Sequence, residues 1–539
     1  MARSAGTANS LRAIQATSSF AAWPVAASHF TYRTTPPYAP EYGFRVERRM
    51  AARAGAGAGG NAGAGCDDAA PGAVAPVDTP TAATDGAHVL RVRTMHDGEL
   101  PPTGAVTASL RDLVAKPGVP GAACCVAWWH PKEQGSGKLG ELRVWTASDG
   151  VRRVDADPAA DPTAVCHNDD AWHLGSCTKA FTATLIASHI DRAAGSDSAR
   201  ALTWDSRVGT ILAPAIDAAG LPAIHASLRD TTLVQLLTHT SGLTKRPPRA
   251  AWDLCWDRDT HSRDGLASDG VAIPAAATSP ECMADRLAFV AAVLHEPAGF
   301  ESGSKKEYSN WNYVVASAML EAVTGESWES LIARDLFAPL GMRHVMFGPA
   351  GRWAPTLEAR QRFVWGHRAE SQPAGQPPKL VAVDPAAKAD NPTGMNPAGR
   401  LSASLEDWAR FAATVCSAHA MEALLGIRPA TREFMLTKAV VGDSCSGGWV
   451  VADREWAGDG PALNHAGSNV KNYCSAWCSP ARGGVLLATS NAMTRDTKAG
   501  LDTVHAAMLR WLFQEGGVLA QGDAKTTPAA AAPKAACCE

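Results

Sequence analysis

A serine followed three residues later by a lysine can form a nucleophile and its base within one helical turn. The two side chains then share a face, and the amine reaches the hydroxyl. The chain carries this spacing three times, at Ser176–Lys179, Ser302–Lys305 and Ser468–Lys471. Their surroundings separate them. Between Lys179 and Asp191 there is no Lys, Arg, Asp or Glu, and Phe181, Leu185, Ile186 and Ile190 spread around the whole helix they predict. A helix apolar all round is a buried one. Lys179 begins that helix, where loss of hydration lowers an amine's pKa towards the neutral, proton-accepting form. Trp172-His173-Leu174-Gly175 leads the chain tightly into it and leaves Ser176 at its positive N-terminal end. The competing use of a serine there is a plain N-cap. Ser302–Lys305 falls in a Gly-containing loop, and Ser468–Lys471 in a turn.

Two further segments carry suitable chemistry. Tyr308-Ser309-Asn310 is the only Tyr-x-Asn among 6 tyrosines, and it stands just before a predicted helix at Val314–Val323. A phenol near a lysine can relay protons, and an Asn amide can orient both the lysine and a substrate carbonyl. The alternative is an Asn that caps the following helix. His465-Ala466-Gly467-Ser468 precedes a predicted strand at Tyr473–Trp477. Gly467 permits close approach of the backbone to a ligand. The Ser468 N–H could then pair with that of Ser176 as an oxyanion hole.

These residues need a scaffold, and composition bounds it. The 539 residues carry 50 Lys+Arg against 53 Asp+Glu, a net charge of −3, with 46% apolar and 19% charged residues. That balance excludes a nucleic-acid surface as the main function, and no apolar run is long enough to span a membrane. The folded body is expected over 105–514. It opens with a helix at Ser109–Ala115 and strands at Ala122–Trp129 and Leu142–Thr146. Helices follow at Phe181–Ile190 and Val314–Val323, the latter stopped by Gly325. It closes with strands at Tyr473–Trp477 and Val485–Thr489 and a helix at Leu501–Phe513. Strands at both ends with helices between predict an α+β fold, an antiparallel sheet flanked by helices with an inserted, mainly helical region. Residues 244–285, with Trp252, Cys255 and Trp256, read as an irregular insertion.

Residues 1–104 and 515–539 read as disordered extensions. The first 40 residues contain no Asp or Glu, carry Arg3, Arg12 and Arg33, and are rich in Ser, Thr and Ala. That composition fits a transit peptide to an organelle and equally a disordered tail of a cytoplasmic protein, with Met50 as an alternative start. No secretory signal is evident. Gly55, Gly57 and Gly60 satisfy G-x-G-x-x-G without a preceding strand or following helix, so the dinucleotide reading fails. No Gly-x-Ser-x-Gly occurs, His295-Glu296-Pro297 does not complete H-E-x-x-H, and Cys474 and Cys478 lack a matching second pair. Neither an α/β-hydrolase nor a metal site is supported, and no cofactor is called for. Thirteen cysteines leave at least one unpaired; Cys255 with Cys282, or Cys445 with Cys474 or Cys478, could be bridged.

In this order the segments resemble the serine β-lactamase-related family, which includes class C β-lactamases, D-Ala-D-Ala carboxypeptidases, D-amino acid peptidases and related esterases. The resemblance covers nearly all of 105–514. It rests on Trp172 through Ile186, on Leu236-Leu-Thr-His-Thr-Ser-Gly-Leu243 and on Tyr308-Ser-Asn310. It continues in Glu321-Ala-Val-Thr-Gly-Glu-Ser-Trp328, Leu340-Gly-Met342, Gly399 through Phe411 and His465-Ala-Gly467. It implies a penicillin-binding-protein-like fold, Ser176 as acylated nucleophile, Lys179 as its proton partner and Tyr308 as an assistant in proton transfer. Asn310 would position Lys179 and substrate, and His465, Gly467 and Ser468 would line the substrate site. Either Lys179 or Tyr308 could be the formal base. His239 would be a scaffold residue. Many β-lactamases have Lys where this chain has His465, and a largely neutral imidazole binds a carboxylate less well. That favours an esterase or peptidase acting on a small-molecule or peptide-like substrate over an antibiotic-destroying enzyme. The rival is a catalytically silent scaffold that keeps the fold; a third reading makes the insertion a lid, with Trp252–Trp256 lining the pocket. Oligomeric state is not legible.

Overall fold

A computed structural model of the chain describes residues 90–96, 99–100, 103–130, 139–194, 201–257, 280–373, 375–514 and 517–519. The transit-peptide segment, Met50, the Gly/Ala tract, residues 258–279 of the insertion and the tail from 520 lie outside the described residues.

The strands, in chain order, are β1 (Arg91–Thr94), β2 (Gly121–Trp129), β3 (Glu141–Gly150), β4 (Ala171–His173), β5 (Val345–Phe347) and β6 (His367–Glu370). They continue as β7 (Lys379–Ala382), β8 (Leu401–Ser404), β9 (Val450–Ala452), β10 (Ala462–Ser468), β11 (Tyr473–Ser479) and β12 (Gly484–Ser490). The main sheet has the order β1-β3-β2-β12-β11-β10-β9, with β4-β8-β5 and β6-β7 as small accessory sheets. Neighbours are antiparallel except β1 and β3. β12 pairs with β2 from Gly484↔Trp128 to Ser490↔Ala122, so the two ends of the body meet at the centre of the sheet.

β2 (Gly-Ala-Ala-Cys-Cys-Val-Ala-Trp-Trp) is buried at every residue, as a strand covered on both faces must be. Side chains alternate between faces. Ala122, Cys124, Val126 and Trp128 pack with Val106, Leu110 and Leu113 of the helix Gly104–Val114 and with Leu501, Val504, Met508 and Leu512 of the helix Arg495–Phe513. Gly500 lets these two helices touch, since a Cβ there would lie 2.2 Å from Leu113 Cδ1. Ala123, Cys125, Ala127 and Trp129 face the larger core, which includes the helices Thr178–Ala193, Trp311–Thr324 and Leu405–Cys416. The architecture is α+β, with sheet strands from both ends of the body and a mainly helical region between them.

Four boundaries move. β1 lies inside 1–104, so ordered structure starts before residue 105; a four-residue, charged edge strand that needs only backbone pairing leaves little sequence signal. Residues 244–285 are not irregular throughout: Arg249–Asp257 is a helix, and Pro280–His295 begins another. Trp252 and Trp256, four apart, lie on one face of the first at 6.2 Å between rings. Leu519 is buried, with its N–H on Leu512 O, so the closing helix is followed by a short packed turn. His465–Ser468 is itself strand, in β10, rather than the approach to one. Cys445, Cys474 and Cys478 are free thiols, so the bridges expected among them do not form.

Candidate active site

Gly175–Cys177 forms a single 3-10 turn that runs directly into the helix Thr178–Ala193. The helix is buried on nearly every face, as its charge-free sequence requires, and Lys179 at its start is fully buried. Ser176 is not the cap residue of either segment. Its Oγ accepts hydrogen bonds from Lys179 Nζ at 3.1 Å and from Tyr308 Oη at 2.6 Å. Asn310 precedes the helix Trp311–Thr324 without capping it by side chain; its Oδ1 instead accepts from Lys179 Nζ at 2.8 Å. The third contact of the amine is the carbonyl of Ala398, at 2.5 Å.

Burial pushes the Lys179 pKa down to about 7, against a weaker opposing pull from Cys177. A neutral amine has two N–H bonds and one lone pair. Once the amine is neutral, Asn310 Oδ1 and Ala398 O take its two hydrogens, and the contact with Ser176 reverses: the lone pair accepts from the hydroxyl. The arrangement can therefore remove the serine proton without a carboxylate or a metal. Tyr308 closes the other side of the hydroxyl.

β10 supplies the opposite wall. An added Cβ at Gly467 would stand 1.9 Å from Leu174 O, and one at Gly175 would stand 2.3 Å from Ser468 N. Gly175 also has a left-handed φ of 48°. Only glycines allow the strand and the Ser176 turn to meet this closely. The contact brings the Ser468 N–H to the turn that carries the Ser176 N–H, the pair of donors an oxyanion site needs. As a first-turn N–H, that of Ser176 has no partner within its own helix. Ser468 Oγ donates to Met493 Sδ and accepts from Val470 N, so the hydroxyl serves the local turn.

His465 is buried, and burial together with the nearby Lys179 lowers its pKa to about 3. Its Nδ1–H donates to Ala466 O at 2.9 Å, which leaves Nε2 as an acceptor. His239 sits behind Tyr308, rings 4.5 Å apart, with a φ of 62°. Its Nδ1 accepts from Asn312 Nδ2 and Ser309 N, and burial holds it well below the usual imidazole range.

All seven residues singled out in the sequence thus lie in or against one constellation. Ser302–Lys305 does not join it: Lys305 is exposed and pairs with Glu307. Three contributors escaped the sequence reading. Ala398 acts through a carbonyl, which any residue owns; the neighbouring Pro397 and Gly399 were the only cue. His173 accepts the Gly175 N–H at 3.1 Å and bonds to Asp390 at 2.7 Å. Nothing in the run around Asp390 marks it. Among the described residues no group of three or more His, Cys, Asp or Glu could hold a metal ion, and no helix is long and apolar enough to cross a membrane.

Known proteins share parts of this sequence and its fold. Penicillin-binding protein 4 of Amycolatopsis lactamdurans is 25% identical over 245 residues, 45% of this chain and 50% of that protein, so the chain spans half the length of the curated relative it matches. The D-stereospecific amidohydrolase of a Streptomyces species shares the fold, with a TM-score of 0.51 and 20% identity over 76% of this chain and 98% of that one. EstCE1, a hydrolase with promiscuous acyltransferase activity, does so with a TM-score of 0.50 and 17% identity over 76% and 99% of the two chains. The family described as Beta-lactamase matches residues 106–509, and with three quarters of its length inside that match the chain belongs to the beta-lactamase family.

Proposed function

We propose that the protein is a serine hydrolase that cleaves an ester or amide bond through an acyl-Ser176 intermediate. Lys179 takes the serine proton in acylation, and Tyr308 carries it towards the leaving group. Asn310 and Ala398 O hold the amine, and the Ser176 and Ser468 N–H groups receive the developing oxyanion. The observation that carries this reading is the coordination of Lys179: a fully buried amine whose hydrogen-bond partners among the described residues are Ser176 Oγ and two carbonyl acceptors. A neutral His465 supports esters and uncharged amides over substrates with a carboxylate at that position. The amidohydrolase and EstCE1 likenesses agree with this range of acyl chemistry.

The test is hydrolysis of a short-chain chromogenic ester by wild type and Ser176→Ala side by side, with fluorophosphonate labelling of both. Turnover and label in wild type, both lost in the variant by about 10⁶-fold or to background, are expected. Equal activity in Ser176→Ala overturns the assignment. A wild type that neither turns over nor labels at Ser176 overturns the hydrolase reading in favour of a silent scaffold.

A further inference from the structure

His173 ends β4, and its ring lies under the nucleophile turn with only 2% of the side chain exposed. Its two nitrogens do different work. Nδ1 accepts the backbone N–H of Gly175 at 3.1 Å. A nitrogen that accepts carries no proton, so the ring is bound to hold its hydrogen on Nε2. Nε2 lies 2.7 Å from Asp390 Oδ2, an acceptor, and donates to it. Had the proton been on Nδ1, that nitrogen would face the Gly175 N–H donor to donor, and the turn that carries Ser176 would lose its anchor.

Asp390 is itself fixed. Its side chain is fully buried, Oδ2 also accepts from Arg400 Nε at 3.3 Å, and Oδ1 accepts from Asn469 Nδ2 at 3.2 Å. Asn469 is held in turn, its Oδ1 accepting the N–H groups of Lys471 and Asn472. Arg400 donates from Nη1 to Asn396 Oδ1 at 2.7 Å, and Asn396 Nδ2 donates to Glu329. The carboxylate thus stands where β4, the turn after β10 and the segment following Ala398 come together.

We infer that Asp390 is a positioning residue: it fixes His173 in the Nε2–H tautomer, and His173 in that form holds the turn that aims Ser176. The inference rests on the acyl-serine reading above. Asp390 touches neither the serine nor Lys179. Its shortest link towards the nucleophile is the imidazole, at 2.7 Å.

Asp390→Asn keeps the shape but offers one acceptor atom to the several donors that converge on it. A displacement of about 1 Å at a reacting atom can cost 10²-fold in rate, so kcat and the rate of fluorophosphonate labelling should each fall by about 10- to 100-fold while KM stays within about twofold. His173→Asn should spare much of the rate, because an Asn Oδ1 can accept the N–H two residues on as Nδ1 does. In the His173→Asn background, Asp390→Asn should then add less than about a threefold loss, since coupled residues do not contribute independently. Losses that multiply, or Asp390→Asn labelling as fast as wild type, overturn the inference. A second readout does not depend on activity. In ¹⁵N-histidine spectra of the wild-type chain, with His173→Asn as the assignment control, His173 should be a neutral Nε2–H ring. An imidazolium or Nδ1–H ring there overturns the inference. If wild type fails to label but the ring is Nε2–H, the hydrolase reading falls and the tautomer assignment stands.

Discussion

Ser176–Lys179 and Ser302–Lys305 present the same spacing, and the protein treats them in opposite ways. Lys179 is fully buried, turned towards Ser176 and two carbonyls, and its pKa is brought down to about 7. Lys305 leaves 56% of its side chain in water and pairs at 3.2 Å with Glu307. Ser302 turns away from it: its Oγ donates to Ser241 O at 2.7 Å and meets Thr231 Oγ1 at 2.8 Å. Spacing places two groups within reach of one another. What decides chemistry is whether the amine has lost its water and which of its hydrogens are already committed.

The largest effect that could break this comparison is on the lysines themselves. Lys179→Met should lower kcat/KM for a model ester by about 10³- to 10⁴-fold, the usual worth of a positioned base, whereas Lys305→Met should leave it unchanged. Comparable losses in both would mean that burial does not distinguish the two sites. Next comes Tyr308→Phe, which removes the 2.6 Å hydrogen bond to Ser176 but keeps the ring against His239. A loss of about 10²- to 10³-fold is expected, and a loss as large as that of Lys179→Met would assign the base to Tyr308.

The pH profile sharpens the point. With a lysine pKa near 7, log kcat/KM should climb with unit slope below about pH 7 and flatten above it, so activity at about pH 6 is roughly a tenth of the plateau. That limb should vanish in the residual activity of Lys179→Met. Stability carries the same signature with a definite sign. Between about 7 and the ordinary lysine range, the unfolded chain keeps a proton that the folded chain has released, so unfolding free energy rises with pH through that window. Thermal denaturation of wild type and Lys179→Met across the window reads it, and parallel curves would contradict a neutral amine. The smallest effect concerns Cys177, next to Ser176 in sequence. Its thiol is buried beside Cys474, 3.7 Å away, and burial pushes its pKa well above the usual thiol value. Cys177→Ala should change kcat/KM by less than about threefold, and iodoacetamide should leave the native thiol untouched, as for other inert buried cysteines.

How far the sequence foretold this site follows from the kind of contact each residue makes. Ser176, Lys179, Tyr308 and Asn310 act through side chains at fixed spacings on or beside helices, so residue type and periodicity carried them. Gly467 was legible for a similar reason: only glycine tolerates the approach to Leu174. The rest depended on tertiary meetings. Asp390 reaches His173 across a sequence separation that leaves no local periodicity, and it looks like any other acidic residue in a polar run. Ala398 contributes an oxygen that every residue has. In the fold, the all-buried β2 and the charge-free helix after Ser176 were readable because burial on every side demands a composition. The strand β1 was not, because an edge strand of Arg-Val-Arg-Thr buries almost nothing. The helix Arg249–Asp257 was masked by its charges and two tryptophans, which read as irregular until the ring pair placed them on one face.

The pairing of β12 with β2 also sets a timetable. During synthesis, Ser176, Lys179 and Tyr308 all leave the ribosome long before Ser468, and before residues 484–490 that complete the sheet. Until then β2, nine residues that end up wholly buried, has one edge without its partner, the kind of exposed strand that invites pairing with another chain. A chain grown only as far as Tyr308 also lacks the β10 wall opposite Ser176 and the Ser468 N–H beside it. The unfinished polypeptide is thereby a good client for chaperones.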